Sequence, residues 1–199
     1  MQPALADDTH SMSGCNPCTF EIAKGIQPYV FTLEVKPVGD RVTIERILVS
    51  SKNSSNALQV LKPHNMEPSI LAAVPFLLKA DTDINHDGYK DIFFVTSGVS
   101  PQVGGDYWIF DPKNNQFAYS GSYPELFVDN ANNEITSIVN SGYNLQYKNF
   151  YGFHNGKLEK TKYMEKENIS STEDLVITRI KTGKLWKVTD KTRMPATRW

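Results

Sequence analysis

Cysteine is almost absent from this chain. Cys15 and Cys18, in Cys15-Asn16-Pro17-Cys18, are the only two in 199 residues. Without a second Cys-x-x-Cys, a four-cysteine zinc site is excluded. The four histidines, His10, His64, His86 and His154, show no ligand spacing that would complete a mixed site. A thioredoxin-like redox motif needs a strand before it and a helix after it, and the preceding residues read as loop. In an exported chain the pair reads instead as a local Cys15–Cys18 disulfide that pins the start of the fold. Its entropic gain is modest because the closed loop is short.

Long apolar runs are also missing. None approaches the ~18 residues of a membrane-spanning helix, so no membrane insertion is expected. Charge of one sign is not in excess: 21 Lys and Arg face 22 Asp and Glu, for a net charge of −1. That balance gives no basic footprint for nucleic acid. Catalytic signatures are lacking too. There is no G-x-S-x-G elbow, no H-E-x-x-H and no phosphate-binding glycine loop, and a non-enzymatic protein is expected. Acidic residues are plentiful, so composition alone leaves a two-carboxylate glycan hydrolase open.

What is present is a core-forming composition, 40% hydrophobic and 11% aromatic. Met1 to Ala6 resembles the end of a secretory signal, with Ala4 and Ala6 at the small-residue positions and a mature start at Asp7. The basic and apolar parts of such a signal are missing, so the segment reads as a trimmed signal or a leader remnant, with an ordinary flexible N-terminus as the competing reading. The first two predict an exported, periplasmic protein. The expected organisation is a leader and flexible segment over 1–14, one domain over 15–190, and a flexible basic tail over 191–199.

From Tyr29 the pattern is β. Tyr29, Phe31, Leu33 and Val35 alternate with Val30, Thr32, Glu34 and Lys36, as in a strand with one face on the core. Residues 42–49 return from a turn at 38–41. Short strands are predicted at 57–61, 91–96, 107–110, 116–119, 135–139, 147–153, 158–164, 175–180 and 184–188. Asn155-Gly156 is a strong hairpin signal. The Gly-rich segment 97–105 reads as a loop. With almost no helical period, the fold is all-β: antiparallel hairpins in a propeller-like or sandwich arrangement.

The segment Asp83-Ile84-Asn85-His86-Asp87-Gly88-Tyr89-Lys90-Asp91 stands apart. Side-chain oxygens fall at positions 1, 3, 5 and 9 and glycine at 6, the layout of a calcium loop. A hard cation takes several oxygens, so the chain must turn sharply, which Gly88 permits. Asp83, Asn85, Asp87 and Asp91 would supply side chains and Tyr89 its carbonyl. Position 12 is Phe94 rather than glutamate, so the loop would feed a strand and brace one hairpin, with Ca2+ in a structural role. The competing reading is an acidic hairpin turn, with Asp, Asn and Gly present for turn chemistry alone.

This loop, the apolar strand after it, the Gly-rich segment and Asp106-Tyr-Trp-Ile-Phe-Asp-Pro112 together resemble a family of exported bacterial proteins. These are calcium-binding immunity proteins that inhibit lysozyme-like peptidoglycan hydrolases delivered by secretion systems. Ser141-Gly142-Tyr143, Tyr147 and Phe153-His-Asn-Gly-Lys-Leu158 resemble its second half, so the likeness spans roughly residues 76–160. The resemblance implies a propeller-like periplasmic inhibitor that blocks a hydrolase cleft with a loop. The expected contacts are Ser141, Gly142 and Tyr143 from one loop, and Ser97 and Tyr107 from the other. The alternative is a secreted, calcium-stabilised carbohydrate-binding module or glycan hydrolase. Neither reading fixes an oligomeric state.

Overall fold

Ile92-Phe93-Phe94 and Tyr107-Trp108-Ile109-Phe110 are apolar at every position, where a half-exposed strand would alternate. The reason is that their sheet is buried on both faces. The computed structural model describes residues 16–54, 56–99 and 102–196. Cys15, the 1–14 segment and residues 197–199 lie outside these, and the expected disulfide therefore falls partly outside them. Cys18 itself is fully buried.

The described chain forms three antiparallel sheets, each from consecutive strands. The first contains β1 (Cys18–Phe20), β2 (Tyr29–Val38), β3 (Arg41–Ser51) and β4 (Ala57–Leu61). A 3₁₀ turn (Leu71–Phe76) leads to the second: β5 (Leu78–Thr82), β6 (Asp91–Val99), β7 (Gln102–Asp111) and β8 (Gln116–Pro124). The third contains β9 (Phe127–Asp129), β10 (Glu134–Asn140), β11 (Leu145–His154), β12 (Lys157–Asn168), β13 (Glu173–Thr182) and β14 (Leu185–Pro195).

The second sheet is the middle layer. On one face Ile92, Phe94, Trp108 and Phe110 pack with Phe31, Leu33, Ile44 and Ile47 of the first sheet. On the other, Phe93, Tyr107 and Ile109 pack with Ile135 and Leu158 of the third. Phe31, Phe94 and Phe110 are at most 1% exposed, and each such ring contributes about 1.5–3 kcal/mol by leaving water. The all-β expectation holds. The sheets stack as sandwich-like layers and do not close into a barrel, so the propeller-like form implied by the resemblance is replaced by the layered one.

Two expectations are corrected. The segment 97–105 is mostly strand: Ser97 pairs with Gly104 and Val95 with Gly105 across β6 and β7. Gly105 is needed there not for a turn but for closeness, since a Cβ would collide with the Phe94 carbonyl and the Phe93 ring. The last hairpin is longer than 175–188. β14 stays paired with β13 as far as Pro195 opposite Glu173, so residues 191–195 are ladder, not a frayed tail. The three-residue strands β1 and β9 carry no alternation long enough to be read from sequence.

Candidate functional site

The 83–91 loop joins β5 to β6 and is tied down at both ends. Ile84 is 1% exposed and plugs the second core. Lys90 donates its backbone N–H to the Ile22 carbonyl (2.8 Å). His86 Nδ1 lies 3.1 Å from Asn130 Oδ1, which links the loop to the β9–β10 turn. The expected sharp turn is present, with Gly88 at φ 89° and His86 at φ 57°.

Its carboxylates serve the loop's own backbone. Asp83 accepts from the Asp87 and Gly88 N–H groups (3.1 and 2.8 Å). Asp87 accepts from the Tyr89 N–H (3.0 Å) and the Asn85 amide (2.8 Å). Asp91, 2% exposed, accepts from the Ile84 N–H (2.7 Å) and the Phe110 N–H (2.9 Å), so it staples the loop to β7. Burial pushes its pKa up to about 7; the two N–H donors oppose that shift, and the Asp87 and Asp83 charges add to it.

Two observations bear on a cation. Asn85 Oδ1, at the third loop position, is buried and has no hydrogen-bond partner. Asp91 sits in the negative field of Asp87 and Asp83, which a cation would offset. Against this, no three Asp, Glu, His or Cys side chains are gathered into a metal cluster among the described residues. The donor set is all oxygen and suits a hard cation, while the carboxylates are held on backbone N–H groups.

The two expected contact loops fare differently. Tyr143, in the β10–β11 turn, is the most exposed large apolar side chain described, at 107%. The turn beneath it is fixed three ways: Ser141 N–H to the Leu145 carbonyl (2.8 Å), Asn168 N–H to the Asn144 carbonyl (2.8 Å), and the Gln146 amide to Asn140 Oδ1 (2.8 Å). Gly142 takes φ 79°, a conformation side chains resist. Behind Tyr143 lies a polar hollow of about 650 Å³, floored by Lys166 and Asp174.

Tyr107 is not a surface contact. It is 2% exposed, stacks on Phe93 with centroids 4.5 Å apart, and its oxygen accepts from the Leu126 N–H (2.8 Å). Burial raises its phenol pKa well above the usual value. Ser97 lies within β6 of the middle sheet, outside the hollow around Tyr143. The structure therefore leaves Ser141, Gly142 and Tyr143 as one coherent loop and separates Ser97 and Tyr107 from it.

A polar network unseen in the sequence holds the segment after β4. Asp106, fully buried, accepts from the His64 backbone N–H (2.5 Å), from Ser122 and from Tyr119 (3.4 Å), with His64 Nδ1 at 3.3 Å. His64 also stacks on Tyr119 at 4.2 Å. The Ser122 hydroxyl donates to the carboxylate rather than to the imidazole, so the set ties the segment after β4 to the second sheet.

No protein-family model matches the chain, and no curated protein is significantly similar to it. One solved structure does match in fold: a type IV secretion system related protein of Xanthomonas. It has a TM-score of 0.59 and 12% identity, and the match covers 89% of this chain and 97% of that one. At that identity the likeness is one of architecture.

Proposed function

We propose that this chain is a periplasmic immunity protein that binds a secretion-system effector acting on the cell wall, a lysozyme-like hydrolase, and blocks its cleft. The Tyr143 loop carries the reading. A fully exposed aromatic on a backbone held by three hydrogen bonds and a left-handed glycine loses little entropy on docking, and exposed tyrosines are typical interface anchors. The secretion-system context of the Xanthomonas protein with the same architecture supports it.

The reading includes calcium in the 83–91 loop, held by Asp83, Asn85, Asp87, Asp91 and the Tyr89 carbonyl. The orphaned Asn85 oxygen and the mutual repulsion of the Asp83, Asp87 and Asp91 carboxylates support this. Bound there, the ion would neutralise the loop carboxylates and brace the β5–β6 hairpin.

The test is capture from the producing bacterium's periplasm with and without calcium, followed by a lytic assay on the captured protein. The expected result is one peptidoglycan hydrolase whose lysis of cell walls is blocked in the complex. Tyr143→Ala should weaken inhibition by about thirtyfold, a hot-spot loss of roughly 2 kcal/mol. Its melting point should be unchanged. Failure to capture a lytic enzyme, or full inhibition by Tyr143→Ala, would refute the reading.

A further inference from the structure

Where β8 ends over the third sheet, an open cleft of about 620 Å³ remains, and its walls are aromatic. Tyr123 comes from β8, Tyr147 and Tyr151 from β11, Tyr163 from β12 and Trp186 from β14. Tyr163 is the centre: Trp186 meets it edge-on at 4.9 Å, and Tyr147 lies 6.1 Å away. Trp186 stands on the edge strand β14 and is 38% exposed, so it is not core.

Strand register builds this face. Tyr147 pairs with Glu165, Asn149 with Tyr163, and Tyr151 with Lys160, after a bulge at Phe150/Tyr151. Without the bulge, Thr161 would take the position Lys160 now occupies, because side chains alternate between faces. The Lys160 ammonium lies 5.8 Å over the Tyr163 ring. The other charges here are already used: Arg179 pairs with Glu165 (2.5 Å) and Lys181 with Glu159 (3.5 Å). Among the described residues Lys160 has no carboxylate within ion-pair distance, and partial desolvation lowers its pKa. The segment that carries β12 to β14 is also basic on balance: residues 157–196 hold 10 Lys and Arg and 6 Asp and Glu.

Tilted ring faces with scattered hydrogen-bonding groups suit the alternating C–H faces and hydroxyls of a sugar chain. One unpaired ammonium suits a single carboxylate and not a run of phosphates, which would need a track of cations. We propose that this cleft binds a short oligosaccharide bearing a carboxylate, with sugar faces on Tyr163 and Trp186 and the carboxylate at Lys160. The volume lies in the range of ligand pockets and admits roughly two to three sugars. The proposal does not depend on the inhibitor reading, which rests on Tyr143.

The experiment is calorimetric titration of the full chain with 3′-sialyllactose, a trisaccharide with one carboxylate, and with its methyl ester, at about 0.15 M salt so that long-range attraction is screened. Expected is saturable binding of the acid and at least about tenfold weaker binding of the ester. Tyr163→Ala and Trp186→Ala should each weaken the acid by about tenfold or more. Lys160→Met, at a surface position, should bind both sugars equally. Tyr143→Ala should bind as the wild type does. Saturation by neither sugar, equal binding of both by the wild type, or a Lys160→Met variant that still prefers the acid would overturn the proposal.

Discussion

Asp91→Ala measures the staple between the 83–91 loop and β7. The substitution leaves the Ile84 and Phe110 N–H groups, now bonded at 2.7 and 2.9 Å, buried without an acceptor. Each such group costs about 1–3 kcal/mol, so the expected loss is roughly 2–6 kcal/mol. For a chain of this size a loss of 1 kcal/mol lowers the melting point by about 2–4 °C, so a fall of about 5–20 °C should be visible. An opposing effect depends on pH. Burial raises the Asp91 pKa from 3.8 to about 7, so the folded protein holds this proton more tightly than the unfolded chain does. The associated stability is fully present below pH 4 and is lost as pH rises through about 7, up to ~4 kcal/mol at roughly 1.4 kcal/mol per unit. Alanine has no such loss. The assay is thermal unfolding of both proteins in chelator at pH 5 and pH 8. The gap should be large at pH 5 and smaller at pH 8. Equal melting points at pH 5, or a gap that widens with pH, would show that the ionised carboxylate is the stable form and that burial does not dominate.

Asp87→Ala should abolish any rise in melting point that calcium gives the wild type; a wild type that melts identically in calcium and in chelator would remove the metal from the loop. Gly105→Ala should destabilise by about 3 kcal/mol or more, because the rigid Phe94 carbonyl cannot yield to a new Cβ as a core side chain can. Denaturant unfolding checks this, and a change within about 0.5 kcal/mol, ordinary for surface sites, would refute the close approach.

The sequence is legible where one physical cause acts alone. Tyr29, Phe31 and Leu33 alternate because one face of β2 is buried, and they were readable as strand for that reason. Asn155-Gly156 marks its turn because both residues take positive φ, 49° and 77°. Legibility fails where one residue type serves two ends. Glycines at 98, 104 and 105 read as loop, yet at Gly105 the absent side chain lets β7 lie close against the Phe94 carbonyl of β6. Tyr107 looked available in a loop because nothing local tells an aromatic facing a third layer from one facing water. The 83–91 loop is legible as a turn, and its Asp91 staple is not, since that bond spans to Phe110. The aromatic cleft was hidden for a related reason. Tyr147, Tyr163 and Trp186 are far apart in the chain and meet only through the register of four strands and two bulges.

In each sheet, every strand pairs only with neighbours consecutive in the chain. Pairing therefore closes short loops, whose entropic cost is small, and each meander can grow hairpin by hairpin. This sets the protein apart from sandwiches with long crossover connections, whose contact order is high. What remains non-local is the docking of the three meanders. The middle one gains most from it: Ile92-Phe93-Phe94 and Tyr107-Trp108-Ile109-Phe110 are open to water on both faces until their neighbours arrive from either side. Until then it is the segment most exposed to self-association, so the speed with which the outer two meanders dock sets how long that surface stays open.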